Sequence, residues 1–139
     1  MIVVQNDAVR LNGVLFCGSR GWTLPSSEKD VENVRLYRRE LMRLKMSLDK
    51  ARSLDADAPL VAMTHYPPVA ENGEATEVSE LLSSYGVRDC VYGHLHGASI
   101  RTGFSGVQGG VRYHLVSCDA LGFRLKRIDE PESGEQNQI

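Results

Sequence analysis

The 139-residue sequence lacks the features that mark membrane, secreted and strongly basic proteins. No apolar run approaches the roughly 18 to 20 residues that a membrane-spanning helix needs. The first residues also lack the basic stretch and apolar core of a signal peptide. Sixteen Lys and Arg residues against eighteen Asp and Glu residues give a net charge of −2, which argues against binding to nucleic acid or anionic lipid through bulk charge. These absences predict a soluble globular domain.

Cysteine is scarce, and several enzyme signatures are missing. Cys17, Cys90 and Cys118 form no CxxC pair, which argues against a disulfide framework or a zinc ribbon and favours a cytoplasmic location. Each lies in an apolar segment, so all three are predicted to be inert core residues. The sequence contains no GxSxG elbow, no GxxxxGK[ST] loop, no HExxH helix and no GxGxxG fingerprint. Its chemistry is therefore expected from other residues.

Hydrophobic residues make up 42% of the chain, enough for one domain with a single core. Apolar residues at alternating spacings of three and four predict a long helix over residues 30–54, and a similar pattern predicts a short one over 78–85. Apolar runs predict strands, and an Asn-Gly turn at 12–13 is expected between the first two. The predicted strands cover residues 2–4, 14–17, 59–63, 87–92, 111–118 and 122–128.

The alternation of strands and helices predicts an α/β fold: a mixed sheet with a parallel βαβ core and antiparallel pairs at both ends. Residues 1–128 are expected to form the folded domain. Residues 129–139 are polar and have little to bury, so they are predicted to be a disordered tail.

Three of the four histidines follow predicted strands. His65 comes after the strand at 59–63, while His94 and His96 come after the strand at 87–92. Ligands bind at the carboxyl ends of parallel strands, and residues two apart in extended backbone point the same way. Neutral imidazole suits Zn, Mn, Fe or Ni. The three side chains are therefore predicted to be metal ligands, whereas His114, inside a strand, is expected to be a packed histidine.

A further candidate lies in the loop Gly-Ser-Arg-Gly-Trp at residues 18–22, which leaves the second predicted strand. Arg20 stands there between two glycines, and its guanidinium can bind a phosphate with two parallel hydrogen bonds. It is the candidate substrate-binding residue, although a surface arginine is the plain alternative. No residue is assigned as a catalytic acid, base or nucleophile.

Two segments together resemble the C-terminal half of the calcineurin-like metallophosphoesterases. They are Thr-His-Tyr-Pro-Pro at 64–68 and Tyr-Gly-His-Leu-His-Gly at 92–97, which resembles that family's Gly-His-x-His block. The loop at 18–22, the later Arg39-Glu40 and the long helix resemble a bacterial branch of predicted phosphohydrolases. The resemblance extends from about residue 3 to residue 123.

The resemblance implies a β-sandwich flanked by helices, with a binuclear metal centre that hydrolyses a phosphomonoester or phosphodiester. His65 and His94 would bind one divalent ion and His96 the other, the ions being Mn, Fe, Zn or Ni. The metals would polarise the phosphoryl group and activate a bridging water. The expected partner is thus a small phosphoester substrate, with no membrane or nucleic acid involved.

The family's N-terminal blocks Asp-x-His, Gly-Asp-x-x-Asp and Gly-Asn-His-Asp are absent from the sequence. Two dications held by three neutral imidazoles would repel each other with no anion between them. The sequence is therefore expected to be a C-terminal fragment that is inactive alone, and that pairs with the missing half or self-associates through an exposed sheet. Two alternatives stay open: a self-contained mononuclear three-histidine zinc hydrolase, and a non-catalytic binding or assembly module.

Overall fold

The computed structural model of the chain describes residues 2–128. The strands are β1 (Ala8–Leu11), β2 (Val14–Ser19), β3 (Leu60–Thr64), β4 (Asp89–Tyr92), β5 (Gly106–Gln108) and β6 (Val111–Leu115). The α-helices are α1 (Val31–Leu54) and α2 (Glu77–Ser84), and a 3₁₀ helix covers Gly97–Thr102. All six strands form one sheet in the order β1-β2-β3-β4-β6-β5. Strands β2, β3, β4 and β6 run parallel, and β1 and β5 add antiparallel edges. The predicted α/β fold with a mixed sheet and a parallel core is confirmed.

Helix α1 follows from local sequence signals. The Asp30 side chain accepts a hydrogen bond from the Asn33 backbone N–H and caps the first turn. The apolar stripe then buries Leu44, Leu48 and Ala51 almost completely against the sheet. Full burial of one leucine side chain contributes about 1.5–3 kcal/mol, so packing rather than helix propensity holds α1 in place.

Helix α2 is delimited at both ends by its own residues. The Thr76 hydroxyl accepts from the Ser79 N–H at 3.1 Å, and the Ser79 hydroxyl accepts from the Thr76 N–H at 2.8 Å, which forms a capping box. At the other end Gly86 has φ +70°, a left-handed conformation that terminates a helix at little cost in glycine. The helix therefore spans nearly the residues that its pattern predicts.

Both α-helices cover one face of the sheet. Leu48 of α1 and Leu82 of α2 belong to one core cluster with alternate strand residues, as expected when right-handed crossovers connect neighbouring parallel strands in the same direction. The core on that face contains residues that alternate along the strands, together with helix residues. Its strand members are Leu15, Cys17, Leu60, Ala62, Cys90, Tyr92, Val111, Tyr113 and Leu115.

The opposite face of the sheet holds a buried ionic network centred on Asp89, which is fully buried. Its carboxylate accepts from Arg88 at 2.6 Å, from two nitrogens of Arg112 at 2.9 Å each, and from His114 Nε2 at 2.9 Å. Burial acts to raise the pKa of Asp89, but the hydrogen bonds from these three partners outweigh it and hold the pKa below its usual value. His114 is only 5% exposed, as expected for a packed histidine.

Two predicted strands are wrong. Residues 2–4 are not a strand: only Gln5 makes an isolated bridge to Gly18, and Asn6 turns the chain with φ +58°. The strand before the Asn-Gly turn is β1 instead, which pairs with β2 through all four of its residues. Residues 122–128 are also not a strand, because β5 already occupies the free edge of β6. Strand β5 lies inside a glycine-rich stretch that the sequence predicts to be a connecting loop.

The cysteine prediction holds for two residues and fails for the third. Burial raises the pKa of the Cys17 thiol to about 12 and raises that of Cys90 as well, so both are inert core residues. Cys118 is exposed, because β6 ends at Leu115 and the chain then enters a turn. The predicted disordered tail at 129–139 lies outside the described residues.

Neither α-helix in the described part of the chain combines the length and apolarity that crossing a bilayer requires.

Candidate functional site

The carboxyl ends of the four parallel strands meet at one edge of the sheet. The register places Ser19 beside Thr64, Thr64 beside Tyr92, and Tyr92 beside Leu115, so the four strands end in one row. The loops that follow these residues therefore start next to one another. They carry Arg20 and Trp22 after β2, His65 and Tyr66 after β3, His94 and His96 after β4, and Asp119 after β6.

His65 and His94 are in direct contact, with 3.1 Å between His65 Nε2 and His94 Nδ1. The backbone holds the two loops together, because the His65 N–H donates to the Arg20 carbonyl at 3.1 Å and the Gly93 N–H donates to the His65 carbonyl at 3.2 Å. His94 has φ +69°, a conformation that is uncommon for a residue with a side chain. Such outliers cluster at functional sites, where the surrounding structure maintains them.

The surroundings of His65 favour its neutral form. Partial burial lowers the pKa of this imidazole, and electrostatic interactions with His94, Arg20 and His96 lower it further. A neutral ring keeps one nitrogen lone pair, which is what a metal ion binds. His65 is thus suited to ligation at neutral pH.

His96 lies at the same edge but makes a different contact. Its Nδ1 is 2.7 Å from Asp119 Oδ1, and the Gly97 N–H donates to Asp119 Oδ2 at 2.7 Å. The Gly97 hydrogen bond, with that of His96, lowers the pKa of the Asp119 carboxyl against partial burial. The Cys118 thiol lies nearby, and the donor atoms of His96, Cys118 and Asp119 are all within 4.8 Å of one another.

The Tyr66 ring packs against the histidine pair, and Trp22 and Tyr66 together orient Arg20. The Arg20 guanidinium lies 4.8 Å from the centre of the Trp22 ring and 5.7 Å from that of Tyr66. Tyr66 in turn packs 4.6 Å from the His94 ring, and Trp22 donates from Nε1 to Asn33 Oδ1 on α1 at 3.1 Å. These cation–π contacts hold an exposed positive charge beside the imidazoles.

The two nitrogens of the histidine pair fit adjacent positions around one metal ion. With metal–nitrogen bonds of about 2.1 Å, a separation of 3.1 Å corresponds to an angle of roughly 95° at the ion, between the tetrahedral and octahedral ranges of common metals. Within residues 2–128 neither His65 nor His94 belongs to a group of three such donors within 4.8 Å. The described residues therefore supply two closely spaced ligands there rather than a closed site.

The structure brings together His65 and His94, sets His96 and Arg20 at the same edge, and adds residues that sequence reasoning missed. The strand predicted over residues 111–118 already places Asp119 in the loop after it, as for the histidines, but an aspartate in a loop carries no signal of its own. Only the pairing of β4 with β6 shows that Asp119 meets His96. No protein-family model, curated protein or solved structure matches this chain.

Proposed function

We propose that this chain forms part of a metal-dependent phosphoesterase of the calcineurin-like type, which hydrolyses a phosphomonoester or a phosphodiester. The observation that carries the proposal is the 3.1 Å contact between His65 Nε2 and His94 Nδ1, which come from loops after two different strands. His96 and Arg20 lie at the same edge, and the order of the segments along the chain agrees with that family's C-terminal half.

Each residue then has a role in holding metal ions. His65 and His94 bind one divalent ion, and His96 binds the second. Ions bound there polarise the phosphoryl group and lower the pKa of a bound water. Burial and the neighbouring charges lower the pKa of His65, which favours the neutral form that a metal ion binds. Imidazole ligands suit Mn, Fe, Zn or Ni.

Arg20 is proposed to bind the substrate phosphate. Its side chain is exposed, and among the described residues no carboxylate lies within 4.0 Å of its guanidinium nitrogens. Two aromatic rings already restrict its position. A guanidinium held in this way loses little side-chain entropy when it donates two parallel hydrogen bonds to a phosphate.

We place the remaining carboxylate ligands on a polypeptide segment outside residues 2–128. A second ion beside three neutral imidazoles needs a nearby anion, and residues 2–128 place no carboxylate in a donor group with His65 and His94. The face of the sheet opposite the helices has room for such a segment, since Val4, Gly18 and Met63 line a groove of about 420 Å³ next to His65. In-frame codons for Asp-x-His and Asn-His-Asp upstream of Met1 are the expected finding in the genomic DNA.

A self-contained site with one zinc ion is the second candidate. It is the three-histidine site of His65, His94 and His96, and it is favoured by the His65–His94 spacing, which fits two ligands of one ion. One zinc per chain by elemental analysis, together with hydrolysis by residues 1–139 alone, would support it over the binuclear centre. A binding module without catalysis predicts neither one zinc ion per chain nor hydrolysis.

The experiment compares residues 1–139 with the product that carries any in-frame upstream codons. Each is loaded separately with Mn²⁺, Fe²⁺, Zn²⁺ or Ni²⁺ and assayed on p-nitrophenyl phosphate and on bis-p-nitrophenyl phosphate. His65→Ala and His94→Ala are expected to lose both metal and activity in the longer product. Arg20→Ala is expected to raise KM while keeping metal, and Arg35→Ala, an exposed arginine on α1, is its matched control. Full metal content and hydrolysis in both histidine variants would refute the proposal.

A further inference from the structure

We infer that Asp119 is a positioning residue for His96: it fixes the Nδ1–H tautomer, so that the Nε2 lone pair is the one offered to a metal ion. The part that concerns metal binding rests on the proposed function, whereas the tautomer of His96 does not depend on it. The inference assigns a role to a residue outside the histidine motif, in the loop that follows a different strand, β6.

Both carboxylate oxygens of Asp119 contact the segment that carries His96. Oδ1 lies 2.7 Å from His96 Nδ1, and Oδ2 accepts from the backbone N–H of Gly97, the next residue, at 2.7 Å. An ionised carboxylate can only accept hydrogen bonds, so Nδ1 must carry the proton in this contact. In a neutral ring the lone pair then lies on Nε2, on the opposite side of the imidazole.

The fold brings the two residues together from equal distances along neighbouring strands. Tyr92 on β4 is the register partner of Leu115 on β6, and His96 and Asp119 each lie four residues beyond these positions. Each is held by its own turn. The His96 N–H donates to Ser99 Oγ at 3.0 Å, while the Gly122 N–H donates to the Asp119 carbonyl at 3.1 Å. The contact is therefore built from two independently supported loops.

The distance distinguishes a positioning role from direct ligation. The donor atoms of His96, Cys118 and Asp119 are close enough to surround an ion. However, two ligands at about 2.1 Å from one tetrahedral or octahedral ion stand roughly 3.0–3.4 Å apart. The 2.7 Å between His96 Nδ1 and Asp119 Oδ1 is instead the length of a charge-assisted hydrogen bond. Carboxylates in this position orient histidine ligands and raise their basicity, and removing them typically lowers metal affinity about 10–100-fold.

The first test measures the tautomer of His96 in metal-free protein at pH 8, from long-range ¹H–¹⁵N correlations assigned with His96→Gln. The wild-type ring is expected as Nδ1–H. In Asp119→Asn, the amide oxygen pairs best with the Gly97 N–H, and the amide NH₂ then faces Nδ1. This pairing selects the Nε2–H tautomer. Asp49→Asn, an exposed aspartate on α1, is the matched control, and the same spectra report whether each variant is folded.

The second test titrates the same proteins with Co²⁺ alone. Asp119→Asn is expected to weaken binding about 10–100-fold, whereas Asp49→Asn and Cys118→Ser are expected to keep the wild-type affinity. The wild-type cobalt complex is expected to show no cobalt–thiolate charge-transfer band. A wild-type ring found as Nε2–H, or a tautomer unchanged in Asp119→Asn, overturns the inference. So does a thiolate band that Cys118→Ser removes, because the cluster is then a direct ligand set. Since the tautomer is read without metal or substrate, a lack of hydrolysis would refute only the proposed function.

Discussion

Replacing Gly18 by alanine tests how the sheet positions the site. Gly18 is buried near the end of β2, and a Cβ built there lies 2.2 Å from the Met63 carbonyl oxygen on β3. The closest ordinary carbon–oxygen contacts are about 3.3 Å, so the two strands must separate by roughly 1 Å. The contact is with backbone, which cannot rotate away. The displaced carbonyl lies two residues before His65.

The expected cost follows from this separation. Overpacking typically costs about 1–3 kcal/mol, and each weakened hydrogen bond, including that from the Gly18 N–H to Ser47 Oγ, contributes about 0.5–1.5 kcal/mol. Against these, alanine reduces the entropy of the unfolded chain by the equivalent of about 0.4–1 kcal/mol. We expect Gly18→Ala to lower the free energy of unfolding by about 2–4 kcal/mol, and to weaken Co²⁺ binding at His65.

Equilibrium urea denaturation followed by circular dichroism measures this loss, as a shift of the midpoint by about 1–3 M. Gly93→Ala is the matched control, because Gly93 also flanks the site but a Cβ there meets nothing within 4 Å and its φ is not positive. That variant should be unchanged or slightly more stable. A Gly18→Ala protein within about 0.5 kcal/mol of the wild type would show that the close approach of β2 and β3 does not constrain the sheet.

Three further predictions concern stability and thiol chemistry. Asp89→Asn should lower the free energy of unfolding by about 3–5 kcal/mol at pH 7, since it leaves Arg112 and its neighbours without their buried anion. Because the folded pKa of Asp89 is depressed, the stabilisation is present above the ordinary carboxyl pKa of about 3.9 and is lost as the pH falls through the folded value. The stability difference between wild type and variant, measured by urea denaturation from pH 7 to pH 3, should therefore shrink, and a constant difference would contradict the assignment. Thr76→Ala removes the cap of α2 and should cost about 0.5–2 kcal/mol in the same assay; no change would mean that the capping box is dispensable. Native protein should react with a thiol reagent at Cys118 alone, since the two buried cysteines have raised pKa values; fast labelling of Cys118→Ser would contradict their burial.

Much of the fold could be predicted because the decisive patterns are local. The three-and-four spacing over residues 30–54 depends only on the helical period, and it marked α1 to within one residue at either end. Gly86 ended α2 because a left-handed residue terminates a helix wherever it stands. The apolar runs at β3 and β4 likewise predicted strands, and with them the loops that carry His65 and His94.

The errors arose where pairing partners matter more than pattern. Residues 122–128 have a strand-like composition, but Phe123 has φ +59° and β6 already has a neighbour on each side. The short β5 was missed because glycine-rich strands carry no hydrophobic alternation. For β1, four residues with Arg10 among them are too few to show an alternation, and its pairing with β2 and the packing of Ala8 against the core stabilise it.

The sequence by itself determined the parallel βαβ core and the placement of His65, His94 and His96 after strands, because periodicity and strand ends are properties of neighbouring residues. Only the tertiary structure decided that His65 Nε2 meets His94 Nδ1, that Asp119 holds His96, and that Arg112 and His114 surround the buried Asp89. These contacts join residues 23 to 29 positions apart. They depend on which strands are neighbours and on their register, and no local pattern along the chain records either one.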